Sequence, residues 1–340
     1  MNIIVLTGGT SSERNVALSS GRGITKALRE AGHNVKVIDP IYGAIQPSEE
    51  DINSVKPVIG KEFPTAEELK KYSNKKVIEC IGSDLFDKID IVFLGLHGKF
   101  GEDGKIQSLL EMRGVKYTGS GVTSSAMAMD KDISKIIFTH FDVPTPKWFM
   151  IERNQYEITQ IDSRIKAELN YPVVIKPNDE GSTVGLSIVL QDVELDNAVD
   201  LAFTYTDRVM AEEYIEGREL TAAILGKEAL PVVEIKPKDG FYDYEHKYTS
   251  GKTEYICPTD LPTALSDEIR NKSLIAHNSL ACKAYSRVDF RLSSKGEIYC
   301  LEVNTLPGMT ELSLVPKAAK AVGLSFPELL NKIIEFSLSV

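Results

Sequence analysis

The sequence predicts an α/β chain in which a doubly wound parallel-sheet unit at the N-terminus is followed by two α+β units. Three observations carry this. Strand, helix and strand alternate with short links over the first hundred residues, the signature of a parallel sheet. Near residue 130 the texture changes to strands joined by tight loops. With 340 residues, the chain is too long for one compact core.

In order, residues 3–6 read as a buried strand, followed by the turn Gly8-Gly9-Thr10-Ser11-Ser12. Residues 16–31 have helical spacing, with Val16, Ile24 and Leu28 on one face and Gly32 as the stop. A second strand spans 34–38. Residues 43–76 are polar, carry three prolines and read as an insertion with a short helix. A strand at 89–94 and a helix at 105–113, closed by Gly114, complete a first domain at 1–117. The central unit, 118–211, holds a helix at 133–141, strands at 173–176 and 184–189, a helix at 195–205 and a strand at 209–214. The last unit, 212–340, opens with strands at 220–224 and 230–235. A polar loop at 239–258, a helix at 266–284 and a hairpin of 286–292 with 297–303 follow, turning at Ser293-Ser294-Lys295-Gly296.

A net charge of −10 argues against a nucleic-acid or anionic-membrane partner. No apolar run approaches the ~18 residues of a membrane helix, and MNIIVLTGG lacks the basic start of a signal peptide. The four cysteines form no CxxC pair and read as reduced thiols. These features point to a cytoplasmic protein.

GxGxxG and GxxxxGK[ST] are both absent, so any nucleotide is held by another device. The strongest local signal lies at 287–304. Arg287 and Asp289 share one strand face, Glu302 and Asn304 share another, and the hairpin brings these faces together. Two carboxylates and a carboxamide oxygen without His or Cys suit Mg²⁺, with Arg287 facing anionic oxygens. A half-exposed strand carries the same alternation. Lys176 ends an apolar strand and precedes Asn178-Asp179-Glu180-Gly181-Ser182-Thr183-Val184-Gly185. Such a loop can close backbone N–H groups and the Ser182 hydroxyl over phosphates, or be a plain hairpin. Residues 212–219 can offer backbone groups to an adenine edge, and Glu219 can accept ribose hydroxyls.

Together the Ser182 loop, the 212–219 segment and the Asp289…Glu302-Val303-Asn304 ribbon resemble the ATP-grasp ligases. Within them the chain is similar to the D-alanine–D-alanine ligases. The further segments are Gly8-Gly9-Thr10-Ser11-Ser12-Glu13-Arg14, Leu96-His97-Gly98 with Gly101-Glu102-Asp103-Gly104, Met129-Asp130-Lys131, 241–248, Asn304-Thr305-Leu306-Pro307-Gly308-Met309-Thr310 and Ser313-Leu314-Val315-Pro316. The resemblance implies an ATP-grasp fold, with ATP between the central and C-terminal units. It implies two magnesium ions on Asp289, Glu302 and Asn304, with manganese as a substitute. Lys131 and Lys176 would bind phosphates, and Glu212, Ile215 and Glu219 the adenosine. Ser182 would lie in a closing loop, and Lys247 and Tyr248 in a mobile loop at 239–258.

The implied chemistry activates one D-alanine as an acyl phosphate and joins it to the amine of a second, for peptidoglycan precursors. Glu13, assisted by His97, would take the first ammonium; in itself His97 is equally an ordinary turn histidine. Arg287 and the Gly308 N–H would face the tetrahedral oxyanion. Ser313 and Leu314 would hold the second carboxylate at a helix start. Tyr248 accompanies D-alanine as acceptor in this family, against D-lactate or D-serine. A regulator that has lost catalysis would need a broken metal set, and a homodimer is implied.

Overall fold

The computed structural model describes residues 1–54, 69, 71–154, 156–238 and 253–339. Strands β1 (Asn2–Leu6), β2 (Asn34–Ile38) and β3 (Ile91–Leu94) form a parallel sheet in the order β2-β1-β3. β1 and β3 are almost continuous apolar runs, as expected of parallel strands buried on both faces, whereas the edge strand β2 exposes Asn34 and Lys36. Helix α1 (Arg14–Glu30) buries Ile24, Ala27 and Leu28 in this core and stops before Gly32, whose φ is 84°. Helices α2 (Glu49–Ser54), α3 (Asn74–Gly82) and α4 (Lys105–Arg113) follow, the last closed by left-handed Gly114.

Helices α5 (Val122–Met129) and α6 (Lys131–His140) lead into a four-stranded antiparallel sheet, β4-β7-β5-β6. Its strands are β4 (Trp148–Glu152), β5 (Val173–Pro177), β6 (Ser187–Val189) and β7 (Arg208–Glu213). Helices α7 (Ile158–Glu168) and α8 (Leu195–Phe203) supply Ile161, Ile165, Val199 and Phe203 to a core that is this sheet's own.

The third sheet runs β11-β10-β8-β12-β13, with β9 beside β8. These strands are β8 (Gly217–Leu225), β9 (Glu228–Ala229), β10 (Val233–Pro237), β11 (Thr253–Ile256), β12 (Tyr285–Ser293) and β13 (Ile298–Asn304). On one face it packs on α6 and α9 (Thr263–Ser279) through Phe138, Ile269, Ala276 and Val288. On the other, Ala223, Leu225, Val233 and Ile235 join α10 (Leu314–Ala321), α11 (Phe326–Leu338) and the N-terminal sheet in one core.

The differences from the sequence reading have local causes. The strand expected at 184–189 begins only at Ser187, because Thr183 (φ 63°) and Gly185 (φ 65°) keep the loop left-handed. The expected strand at 230–235 is broken by Pro231, which lacks a ladder donor. The helix expected to reach 284 ends at Ser279. Cys282 N–H donates to His277 O and Ala281 N–H to Asn278 O, a Schellman closure with alanine in the left-handed seat (φ 52°). Glycine, the usual marker, is absent there. The polar loop expected at 239–258 contains β11, which pairs with β10 from Glu234↔Ile256 to Pro237↔Thr253. Helix α5, β4 and α7 were not foreseen.

Candidate active site

Strands β12 and β13 place Arg287 opposite Asn304 and Asp289 opposite Glu302, with a bulge after Asp289. The two acid-bearing faces therefore meet as their spacing required. Thr221 on β8 donates to Asp289 Oδ1 at 2.6 Å, and Arg287 clasps Asp289 with Nε and a terminal nitrogen at 2.9 and 2.7 Å. Asn304 Oδ1 is buried without a hydrogen-bond partner, an arrangement that costs about 1–3 kcal/mol unless something fills it. Two carboxylates beside an orphaned carboxamide oxygen fit a hard divalent cation. Among the described residues no cluster of three or more His, Cys, Asp or Glu offers an alternative metal cage.

Lys131, at the first turn of α6, lies 3.1 Å from Glu302 and donates to Glu180 O at 2.6 Å. Burial alone would lower its pKa, but Glu302 and Glu180 outweigh burial and raise it. Lys176 at the end of β5 holds both oxygens of Glu212 on neighbouring β7, at 2.9 and 2.7 Å. Both lysines line a cavity of about 110 Å³ with Ser182, Glu212, Ile215, Glu219, Asp289 and Glu302. Arg291 reaches the same cavity, donating to Ile215 O at 3.0 Å and pairing with Glu219 at 3.4 Å.

A larger cleft of about 740 Å³ adjoins it, lined by Glu13, His97, Ser182, Arg287, Asn304, Gly308, Ser313 and Leu314 among others. Ser182, held at φ 50°, donates to Glu13 Oε1 across the cleft. A Cβ on Gly181 would come within 2.9 Å of Glu13 Oε2, so a side chain there would collide with this contact. Burial, then the neighbouring Glu102, push the Glu13 carboxyl up to about 7, while His97 and Ser182 oppose the rise. His97 Nδ1 lies 2.8 Å from Leu306 O, which can only accept, so this nitrogen carries the proton. Its Nε2 faces Ser20 Oγ at 2.8 Å, and that oxygen accepts from Met309 N–H at 3.3 Å. The histidine thus reaches the cleft with both ring nitrogens engaged, tying the first sheet to the 306–309 loop. Ser313 is the N-cap of α10 and makes no capping bond to it; its Oγ accepts from Thr310 N–H at 3.0 Å instead. Lys247 and Tyr248 lie outside the described residues.

Three contributors were missed from sequence. Lys135, one turn beyond Lys131, is fully buried and pairs with Glu212 at 3.0 Å. Burial, then repulsion by Lys176, push it down to about 8 against the pull of Glu212. Its position four residues from Lys131 on one helix face was the available signal. Lys99 bonds Glu180 and Asp179 at 2.9 and 3.2 Å, fastening the Ser182 loop to the first unit. Glu102, which accepts from Gly98 N–H at 2.8 Å, lies in the segment Gly101-Glu102-Asp103-Gly104 that carries the resemblance, but nothing in the sequence assigned it a role.

Two antiparallel sheets facing one cavity, a hydroxyl-bearing loop over it and paired acids on its far wall define an ATP-grasp ligase. The family models described as D-ala D-ala ligase N-terminus and C-terminus match residues 2–120 and 137–335. A D-alanine–D-alanine ligase of Aquifex aeolicus is 43% identical over 336 residues, 98% of this chain and 100% of its own. The crystal structure of the Bacillus anthracis D-alanine–D-alanine ligase complexed with ATP has a TM-score of 0.75 and 31% identity, covering 100% of this chain and 98% of that one. The VanG D-Ala:D-Ser ligase of Enterococcus faecalis gives 0.80 and 30%, covering 99% of each. The chain belongs to the D-alanine–D-alanine ligase family.

Proposed function

We propose that this enzyme joins two D-alanine molecules through a D-alanyl phosphate, with ATP as phosphoryl donor, to supply peptidoglycan precursors in the cytoplasm. The observation that carries this is the adjacency of the two cavities. Lys131 and Lys176 stand in the smaller one, and Glu13, Arg287 and Ser313 in the larger, with Asp289 and Glu302 lining both.

In this reading Glu212, Ile215 and Glu219 hold the adenosine, and Lys131 and Lys176 the phosphates. Asp289, Glu302 and Asn304 hold two magnesium ions, with manganese as a substitute; these ions would neutralise the phosphates during transfer. Glu13, as a carboxylate, takes the ammonium of the first D-alanine, and Ser182 closes over the transferring group. A carboxylate oxygen of that substrate attacks the γ-phosphorus as ADP leaves. The second amine then attacks the acyl carbon, loses a proton and expels phosphate. Arg287, turning from Asp289, and the Gly308 N–H face the oxyanion. Ser313 and the Leu314 N–H at the start of α10 hold the second carboxylate. Closure of 239–258, with Lys247 and Tyr248, shields the acyl phosphate from water. The division at 117 and 211, and a homodimer, complete the proposal; neither nucleic acid nor membrane takes part. Among the described residues no helix is long and apolar enough to cross a membrane.

Mass spectrometry of products from ATP, magnesium, D-alanine and competing D-lactate and D-serine tests it. D-alanyl-D-alanine as the main product is expected. A dominant ester or D-alanyl-D-serine overturns the acceptor assignment, and absence of ADP overturns the reaction.

A further inference from the structure

Lys135 is the largest fully buried charged side chain described, yet it touches neither cavity. Its ammonium has a partner for each of its three protons. These are Glu212 Oε1 at 3.0 Å, Thr145 Oγ1 at 2.6 Å and Pro146 O at 3.0 Å. Thr145 spends its own proton on Cys300 O at 2.8 Å, so it can only accept from the lysine. The Trp148 ring lies 5.0 Å from the same nitrogen. Lys135 is therefore fixed from all sides.

Glu212, also buried, is shared between this fixed cation and Lys176, which lines the smaller cavity. One carboxylate thus holds two ammonium groups, one in front and one behind. A lysine that gave both its strong bonds to Glu212 could not also serve a phosphate without leaving that carboxylate exposed to a low-dielectric surround. An uncompensated buried charge of this kind strongly disfavours the state that contains it. The charge behind removes that penalty.

We propose that Lys135 is a positioning residue: it is the permanent counter-ion of Glu212, and it frees Lys176 to turn from Glu212 to the nucleotide phosphates. This rests on the reading of the smaller cavity as the nucleotide site. Without Lys135, Lys176 becomes the sole partner of Glu212 and stays with it. Nucleotide binding then weakens while the amino-acid sites, built from other residues, keep their affinity.

The test is a double-mutant cycle on the full-length enzyme, with ADP and magnesium binding by calorimetry and KM values for ATP and D-alanine. Wild type is measured first; no binding there overturns the nucleotide reading, and this proposal with it. Lys135→Met is expected to raise the ADP Kd and the ATP KM at least tenfold and leave the KM for D-alanine within twofold. In the Glu212→Gln background the same change is expected to cost less than twofold, because no carboxylate remains to hold Lys176. Lys135→Gln, a polar side chain without the charge, repeats the measurement should the methionine variant fail to fold. A lysine with a packing role alone would weaken both substrates together and give the same loss in either background. Any of those results, or an unchanged ADP Kd in a folded variant, overturns the proposal.

Discussion

At the scale of single residues, Glu13 stands between two demands. The ammonium of a substrate wants a carboxylate, but burial and the neighbouring Glu102 favour the acid and push it up to about 7. Linkage gives the sign. The folded group holds its proton up to about 7 and the unfolded one only to about 4.5, so the folded state binds more protons in that window and stability falls as pH rises through it. Glu13→Gln removes the titration, at most about 3 kcal/mol by linkage. Wild type should therefore lose Tm relative to this variant from pH 5 to pH 8, in paired melting curves; parallel curves would show that Glu13 titrates normally. In the proposed reading Tyr248 bears on the acceptor rather than the donor. Tyr248→Phe should raise the ratio of D-alanyl-D-lactate to D-alanyl-D-alanine at neutral pH, read by mass spectrometry, and an unchanged ratio removes that role.

At the scale of elements, the end of α9 is the clearest case of structure that a pattern conceals. Ala281 occupies a left-handed seat that closes the helix, and that conformation costs an L-residue with a Cβ roughly 1 kcal/mol. Ala281→Gly should raise stability by about 1 kcal/mol in urea denaturation with no change in activity; a loss would mean that the methyl group packs more than it strains. The strands, by contrast, were legible wherever apolar runs ended at glycine. The residues 34–38 and 105–113 match β2 and α4 end for end, since Gly32 and Gly114 mark their borders. Legibility failed for β11, where Thr253, Glu254, Tyr255 and Ile256 sit in a polar stretch and pair only because β10 offers an edge. The meeting of Arg287, Asp289, Glu302 and Asn304 on one ribbon was readable because a hairpin fixes register through the sheet period of two. The ion pairs of Lys135 and Lys99 were not readable, since their partners Glu212 and Glu180 are 77 and 81 residues away and only folding brings them near.

At the scale of the whole molecule, the three sheets are unequally joined. The first and third share one apolar core, in which Ile24 and Leu28 of α1 belong with Val315 of α10 and Leu329 of α11. The central sheet keeps its own core. Its named links to the rest are polar: Ser182 to Glu13, Lys99 to Asp179 and Glu180, Lys135 of α6 to Glu212, and Arg208 to Asp130 and Asp132. Polar links, each carrying the desolvation of its charges, stabilise less than a shared apolar core, so the central sheet should open at lower cost than the other two, which should open together. In native-state hydrogen exchange the amides of β5 and β7 should show a smaller opening free energy than those of β1 and β12. In the proposed reading, saturating nucleotide with magnesium binds between Lys176 on the central sheet and Asp289 on the third and so acts only on the joined form. At 100 times its Kd it should raise the β5 and β7 values by about 2.7 kcal/mol. Because β1 and β12 are joined by the core, their values should rise only as far as global unfolding also releases the ligand. Equal protection of all four strands without ligand would show that the polar links weld the central sheet as firmly as the apolar core welds the others.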